Sequence, residues 1–300
     1  LIPITFKEFL MTRTSASSAA VALLAAILAA SLAGCVVTPY NPQPVGAQPP
    51  LADENDQEQA SEPPPPLPVY EQPPCPEEGY IWTPGLWRWG PEGYFWVPGT
   101  WVAPPQVGML WTPGFWALAG TVYVFHAGHW GNHVGYYGGI NYGGGYTGAG
   151  YVGGRWNNNH FQYNTAVTNV NVTNVRNTYI DRTVINNVTI NNSNVQRPSY
   201  AGAAEARPQP NRAELGASRE PHYAPTPPQA QHHDVARTNP MQNAVRNEGR
   251  PPVAATPRPG AFQEHGVTAA KPVGPAYRPQ RAQGQPERAP ENKGHEEERR

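Results

Sequence analysis

Across 300 residues, 21 Lys and Arg meet 22 Asp and Glu for a formal net charge of −1, too even a balance to argue for nucleic acid. Two cysteines exclude a disulfide framework. Thirty-seven prolines and 30 glycines exclude one regular fold over the whole length, and composition divides the chain into successive parts.

Residues 1–35 read as a signal peptide. Met11 is the expected start, with residues 1–10 an upstream extension. Arg13 gives a basic beginning, Ala19 to Ala30 an apolar run, and Leu32-Ala33-Gly34-Cys35 a small-residue end. The run is too short to span a bilayer, which takes roughly 20 residues. Leu-Ala-Gly-Cys resembles the lipobox of bacterial lipoproteins. That resemblance implies cleavage before Cys35 and lipid (palmitate among its acyl chains) on the thiol, so the membrane is the first expected partner. Val36, where Asp would retain such a protein, implies sorting to the outer membrane.

Residues 36–78 follow as an acidic tether. They hold Pro63-Pro64-Pro65-Pro66 and eight carboxylates from Asp53 to Glu78, with no Lys or Arg. Proline and like-charge repulsion predict a stiff, extended, disordered segment. Cys75 lies in Pro73-Pro74-Cys75-Pro76 with no intrachain partner once Cys35 carries lipid. An intermolecular bridge through it competes with the plainer reading of an ordinary linker residue, which is preferred.

Residues 79–134 carry a repeat. Three units read Tyr80-Ile-Trp82-Thr-Pro-Gly85-Leu-Trp87, Tyr94-Phe-Trp96-Val-Pro-Gly99-Thr-Trp101 and Met109-Leu-Trp111-Thr-Pro-Gly114-Phe-Trp116. A fourth, Tyr123-Val-Phe125-His-Ala-Gly128-His-Trp130, is degenerate. Alternation within each unit predicts short strands. Pro-Gly suits a type II turn, which would set Trp82 opposite Trp87 and Tyr80 opposite Trp89. Type II turns twist the wrong way for tight hairpins, so a wider loop or bulge stays open as the alternative. Gly90-Pro91-Glu92-Gly93 and Ala103-Pro104-Pro105 supply further reversals. The expected fold is mainly β: a small antiparallel meander with an aromatic stripe and Gly/Tyr-rich loops, flanked by long disordered segments.

These units resemble the bacterial WxxGxW (YxWGxW) repeat family of small secreted proteins and lipoproteins. Trp82, Gly85 and Trp87 fit its motif, as do Trp96, Gly99 and Trp101, and Trp111, Gly114 and Trp116. The fourth copy departs at Phe125. The resemblance continues through the Gly/Tyr stretch and the Ala255-Thr256-Pro257-Arg258-Pro259-Gly260 run. It implies no enzymatic activity.

Residues 135–196 complete the domain. Gly135 to Gly154 interleaves glycine with Tyr136, Tyr137, Tyr142, Tyr146 and Tyr151, predicting loops that pack tyrosines onto the aromatic sheet. Val167 to Val195 alternates Val/Ile with Asn/Thr and predicts a surface strand or pairing edge. Residues 197–300 are poor in large apolar side chains and predict a disordered tail. Within it, Asn239-Pro240 and Gly249 could bound one short helix.

Chemistry is sparse. Between Tyr80 and His160 there is no Ser, Asp, Cys or Lys, and Glu92 is the only carboxylate, so a nucleophile beside a base or a carboxylate pair cannot be assembled from the repeats. No catalytic residue and no cofactor are expected. His126, His129 and His133 are weak metal candidates, with His160 as a fourth. No carboxylate stands near to orient them, and ordinary histidines are the preferred reading. The tryptophans admit two readings: a core in a domain with few Leu, Ile or Phe, or a platform for sugar rings. The core is preferred, since large exposed aromatic patches need a partner. The expected function is a non-enzymatic, lipid-anchored envelope protein with a structural or protein-interaction role, its partner another envelope protein. The alternative is a glycan- or peptidoglycan-binding module. The face it occupies, periplasmic or exterior, stays open.

Overall fold

In the first repeat unit the chain does not turn back at Pro84-Gly85. It runs on through β2 (Ile81–Thr83) and β3 (Leu86–Gly90), reverses at Pro91-Glu92, and returns through β4 (Gly93–Val97) and β5 (Gly99–Val102). β2 pairs with β5 and β3 with β4, in a register that never shifts between Ile81↔Val102 and Gly90↔Gly93. Two units therefore form one long hairpin. Proline has no N–H for the ladder, so pairing lapses where Pro84 stands opposite Gly99 and Gly85 opposite Pro98. The second hairpin repeats the plan: β6 (Leu110–Thr112) and β7 (Phe115–Ala119) return through β8 (Val122–His126) and β9 (His129–Gly131).

The expected pairing of Trp82 with Trp87 is thus corrected. Trp82 faces Trp101, Trp87 faces Trp96, and Trp89, expected opposite Tyr80, faces Tyr94. The reversal falls at the two-residue turns between units, Pro91-Glu92 and Gly120-Thr121, because the twist of a type II Pro-Gly turn would splay the strands it joined.

The structure is a computed structural model that describes residues 58–183, 197–203, 206 and 209–279. All the described residues belong to one compact unit. Cys35 and residues 184–196 of the Val/Asn run lie outside the described residues. The fold is mainly β, in small and largely antiparallel sheets, as expected. No described helix is long and apolar enough to cross a membrane.

The flanks join the fold further than their composition suggests. β1 (Gln59–Ala60) adds an antiparallel strand to β8. β15 (Tyr200–Ala201) and β16 (Ala255–Thr256) add parallel strands to β7 and β5. Hairpin edges that would otherwise present unpaired backbone are covered by the chain's own ends. Leu67 and Cys75 are buried, and so are Ala254 and Ala255, the second of which heads the Ala-Thr-Pro-Arg-Pro-Gly run. Residues 58–78 are therefore part of the domain and not of a free tether, and the described part of 197–279 is not free tail. These segments bury few large side chains of their own. They dock through backbone pairing and small buried residues, which a hydrophobicity reading does not weigh.

Among the described residues two α-helices precede β16. In α1 (Arg212–Ala217) the Asn211 side chain accepts the Glu214 N–H and the Glu214 carboxylate accepts the Asn211 N–H, a capping box. α2 (Pro227–Thr238) starts with proline at its first position. The helix expected from Asn239 is only a 3-10 turn at Pro240–Gln242. Asn239 does cap it, accepting the Met241 N–H.

The Gly/Tyr stretch forms β10 (Asn141–Gly143) and β11 (Tyr146–Thr147), with Tyr137, Tyr142 and Tyr146 buried as expected. β12 (Gly154–Asn157) and β13 (His160–Asn164) make a hairpin joined by β14 (Thr178–Tyr179). Of the strand expected over 167–195, the described part keeps only β14 and a bridge between Val170 and Cys75. Residues 165–167 and 172–174 are turns, and Asn164 and Asn171 accept the N–H groups of Ala166 and Thr173. Asparagine side chains there offer the backbone a local partner that competes with a ladder.

Limited proteolysis should leave a resistant fragment beginning near residue 58 and reaching past residue 270, cut internally if at all. A stable fragment of 79–196 alone, seen by mass spectrometry, would contradict the docking of the flanks.

Candidate functional site

Each unit reads aromatic-x-x-Gly-x-aromatic, and pairing two units head to tail gives every position a job. The first aromatic of one unit lies over the glycine of its partner unit: Trp82 over Gly99, Trp96 over Gly85, Trp111 over Gly128, Phe125 over Gly114. A Cβ on any of these glycines would stand 2.6 Å or less from the ring, closer than real Cβ contacts allow. None of the four has positive φ, so they are glycine for space and not for a left-handed turn. This corrects the expected role of Gly85, Gly99 and Gly114.

The second aromatic meets the partner's first. Trp82–Trp101 and Trp87–Trp96 sit edge to face with centroids 5.4 and 5.0 Å apart. Trp111–Trp130 and Trp116–Phe125 are tilted, both at 5.3 Å. Such pairs add about 0.5–1.5 kcal/mol each beyond burial. The seven tryptophans in these pairs are all 6 % exposed or less. Trp82, Trp87, Trp96, Trp101, Trp111 and Trp116, the six singled out from sequence, are core. Phe125, Gly128 and Trp130 make the fourth unit a full equivalent, although Ala127 replaces its proline. Equal spacing was the signal for that equivalence.

A buried indole N–H needs an acceptor. Trp87 and Trp101 donate to the carbonyls of Pro66 and Pro73 at 3.2 and 2.8 Å. Trp96 donates to Ala254 O at 3.0 Å, and Trp130 to Gln229 Oε1 at 2.8 Å. Trp116 reaches across to the first hairpin, donating to Trp87 O at 2.8 Å. The flanking segments thus supply most of the acceptors, which the sequence gave no means to foresee.

Tyrosines join the hairpins. The Tyr146 hydroxyl lies 3.1 Å from Trp82 O and 2.9 Å from Trp111 O, so one proton is shared between matching positions of the two hairpins. Tyr142 donates to Gly114 O and Tyr163 to Tyr80 O. Burial pushes the pKa of all three tyrosines up. Burial likewise pushes the Cys75 thiol up to about 11, with the Tyr163 hydrogen bond opposing. That thiol is buried and inert, not poised for a bridge.

The three candidate histidines have separate partners. His126 stacks on Phe115 at 4.7 Å, and His129 stacks on His222 at 3.7 Å. His133 Nδ1 lies 2.7 Å from Glu220 Oε1. Burial, then the neighbouring His222, lowers His129 to about 4. Among the described residues no three His, Cys, Asp or Glu side chains gather as a metal site requires.

Between the crossings and α2 lies a cavity of about 370 Å³, bounded in part by Pro84, Pro98, Trp111, Phe125 and His232. His232 is already satisfied: Nδ1 accepts the Gly260 N–H at 3.0 Å and Nε2 donates to Pro98 O at 2.9 Å.

The WXXGXW repeat family matches the chain twice, at residues 79–102 and 107–130. Each match spans one hairpin, so the chain carries two WXXGXW repeats of two units each. Neither a curated protein nor a solved structure matches the chain.

Two outcomes follow from this geometry. Gly85→Ala or Gly99→Ala should destabilise by about 1–3 kcal/mol, the cost of overpacking, and Trp96→Ala by about 3–5 kcal/mol, measured by urea unfolding. Stability should also fall with alkali. The Cys75 thiol and the buried tyrosines hold their protons in the folded chain and lose them more easily unfolded. The Cys75 contribution is complete below about pH 9 and is lost as pH rises through about 11, while that of the buried tyrosines is complete below about pH 10 and declines above it; both read as a falling urea midpoint.

Proposed function

We propose that this chain, which carries two WXXGXW hairpins closed by its own flanks, is a non-enzymatic, lipid-anchored protein of the cell envelope with a structural or protein-interaction role. One observation carries the reading: every tryptophan of the repeat pairs is inside. Stacking a sugar needs an open aromatic face, and the paired tryptophans offer none, which weighs against the glycan-binding alternative. Trp89 and Trp156 are only half-buried, but each packs on another ring, Tyr94 and Phe161 respectively.

The anchor rests on the Leu32-Ala33-Gly34-Cys35 sequence. The docked strap begins at Glu58, whose carboxylate pairs with the Arg88 guanidinium while Arg88 covers the Phe125 ring. The rest of the expected tether, residues 36–57, lies outside the described residues; a segment of that length spans at most ~75 Å. An outer-membrane address places the domain within that distance of the lipid surface, where its partner is another envelope protein.

Labelled palmitate should enter the protein and Cys35→Ser should abolish the label; equal labelling of both would remove the anchor. In parallel, wild-type protein and its Trp89→Ala and Trp156→Ala variants should fail to sediment with purified peptidoglycan. Sedimentation by the wild type that either variant loses while staying folded would favour the glycan reading.

A further inference from the structure

Residues 221–238 lie across both hairpins. The Tyr223 backbone exchanges two hydrogen bonds with Trp130 in β9, each 2.9 Å, and Gln229 takes the Trp130 indole N–H. α2 then packs on β4 of the first hairpin. Two histidine contacts hold this segment down, one on each hairpin, and both require neutral rings.

His232 is the stricter of the two. Its Nε2 donates to Pro98 O at 2.9 Å, so Nδ1 is the bare nitrogen, and that nitrogen accepts the Gly260 N–H at 3.0 Å. A proton on Nδ1 would aim one N–H at another, and at 2 % exposure the charge would also lie out of water. His129 in β9 stacks on His222, with centroids 3.7 Å apart and planes within 20°. A charge on one of these rings faces the other ring, and charges on both repel.

Neither ring bonds a carboxylate among the described residues. Beside His232 on α2 stand His233 and Asp234, 3.3 Å apart, and the Arg88–Glu58 pair faces His233 from the first hairpin with both signs of charge. The 258–262 loop brings the Phe262 ring, 5.0 Å from His232, and an exposed Arg258–Glu264 pair. Near His129 the charged groups are His222 and, further out, the pair of His133 with Glu220, ionic only once His133 is protonated.

We propose that residues 221–238 form an acid-released clasp: protonation of His232 and His129 frees this segment from the hairpins while the crossings of ring on glycine stay closed. Release bares the Trp130 backbone in β9 and opens the cavity beside Pro84 and Pro98. The device is independent of the envelope reading, since it needs neither the lipid nor a protein partner. Burial, opposed by the Pro98 hydrogen bond, lowers His232 to about 4, where His129 also stands. A freed imidazole takes its proton near pH 6.5, so the clasp's hold is complete above that pH and is lost as pH falls toward about 4.

The test is hydrogen exchange of the full chain, read by mass spectrometry at about pH 7.5 and about pH 5 and corrected for the intrinsic pH dependence of exchange. Protection over 221–238 should fall by about 30-fold for each histidine that opening frees, while residues 86–97 keep theirs. His129→Phe keeps a ring on His222 and should remove its share of the acid response. His232→Gln keeps an amide donor for Pro98 O and should remove the other share; if that variant does not dock, the wild type and His129→Phe decide. Protection over 221–238 that is absent at both pH values or unchanged by acid would overturn the proposal. So would a loss shared equally by 86–97, or one undiminished in His129→Phe.

Discussion

Where two units cross, an indole ring rests directly on the backbone of a glycine in the opposite strand, and the proline beside that glycine opens the hydrogen-bond ladder. This contact occurs four times, with Phe125 in place of tryptophan once. It sets the close approach of the strands and the position of the ring, and so the partner that the second tryptophan meets. The motif's spacing follows. Gly must stand three residues after the first aromatic and two before the second, so that two antiparallel copies satisfy each other. One unit alone has no ring for its glycine and no glycine for its ring.

Filling a core with tryptophan creates a polar problem. Each indole brings an N–H into a place without water, and among the paired strands only Trp87 O accepts one, from Trp116. The chain solves this with its ends. A proline-rich strand cannot donate from its prolines, but every proline keeps a free carbonyl, and Pro66 and Pro73 offer theirs to Trp87 and Trp101. Ala254 does the same for Trp96 from the far end of the sequence. Segments that look like linkers thus complete the core chemically while contributing little to its volume.

The two hairpins are held by polar contacts at matching places. Tyr146 reaches Trp82 O and Trp111 O, the same position in each repeat, and Trp116 reaches Trp87 O. The glycine-rich segment between them has to bend through many positive-φ residues to deliver that tyrosine, which is why glycine and tyrosine occur there together.

The sequence by itself determined the repeat, its β character and the return of the tyrosines onto the aromatic sheet, because these depend on residue type and short spacing; it favoured a tryptophan core over an exposed platform, and the structure decided for the core. It also marked the Gly90–Gly93 reversal. It could not determine which unit pairs with which: Pro-Gly reads locally as a turn, and only the fit of ring on glycine across the hairpin shows that the chain passes straight through. Nor could it show that residues 58–78 and the segment around Ala254 belong to the domain. Hydrophobicity measures what a segment buries, and these segments are held by what they accept. That depends on where four indole N–H groups point, which only the tertiary structure decides.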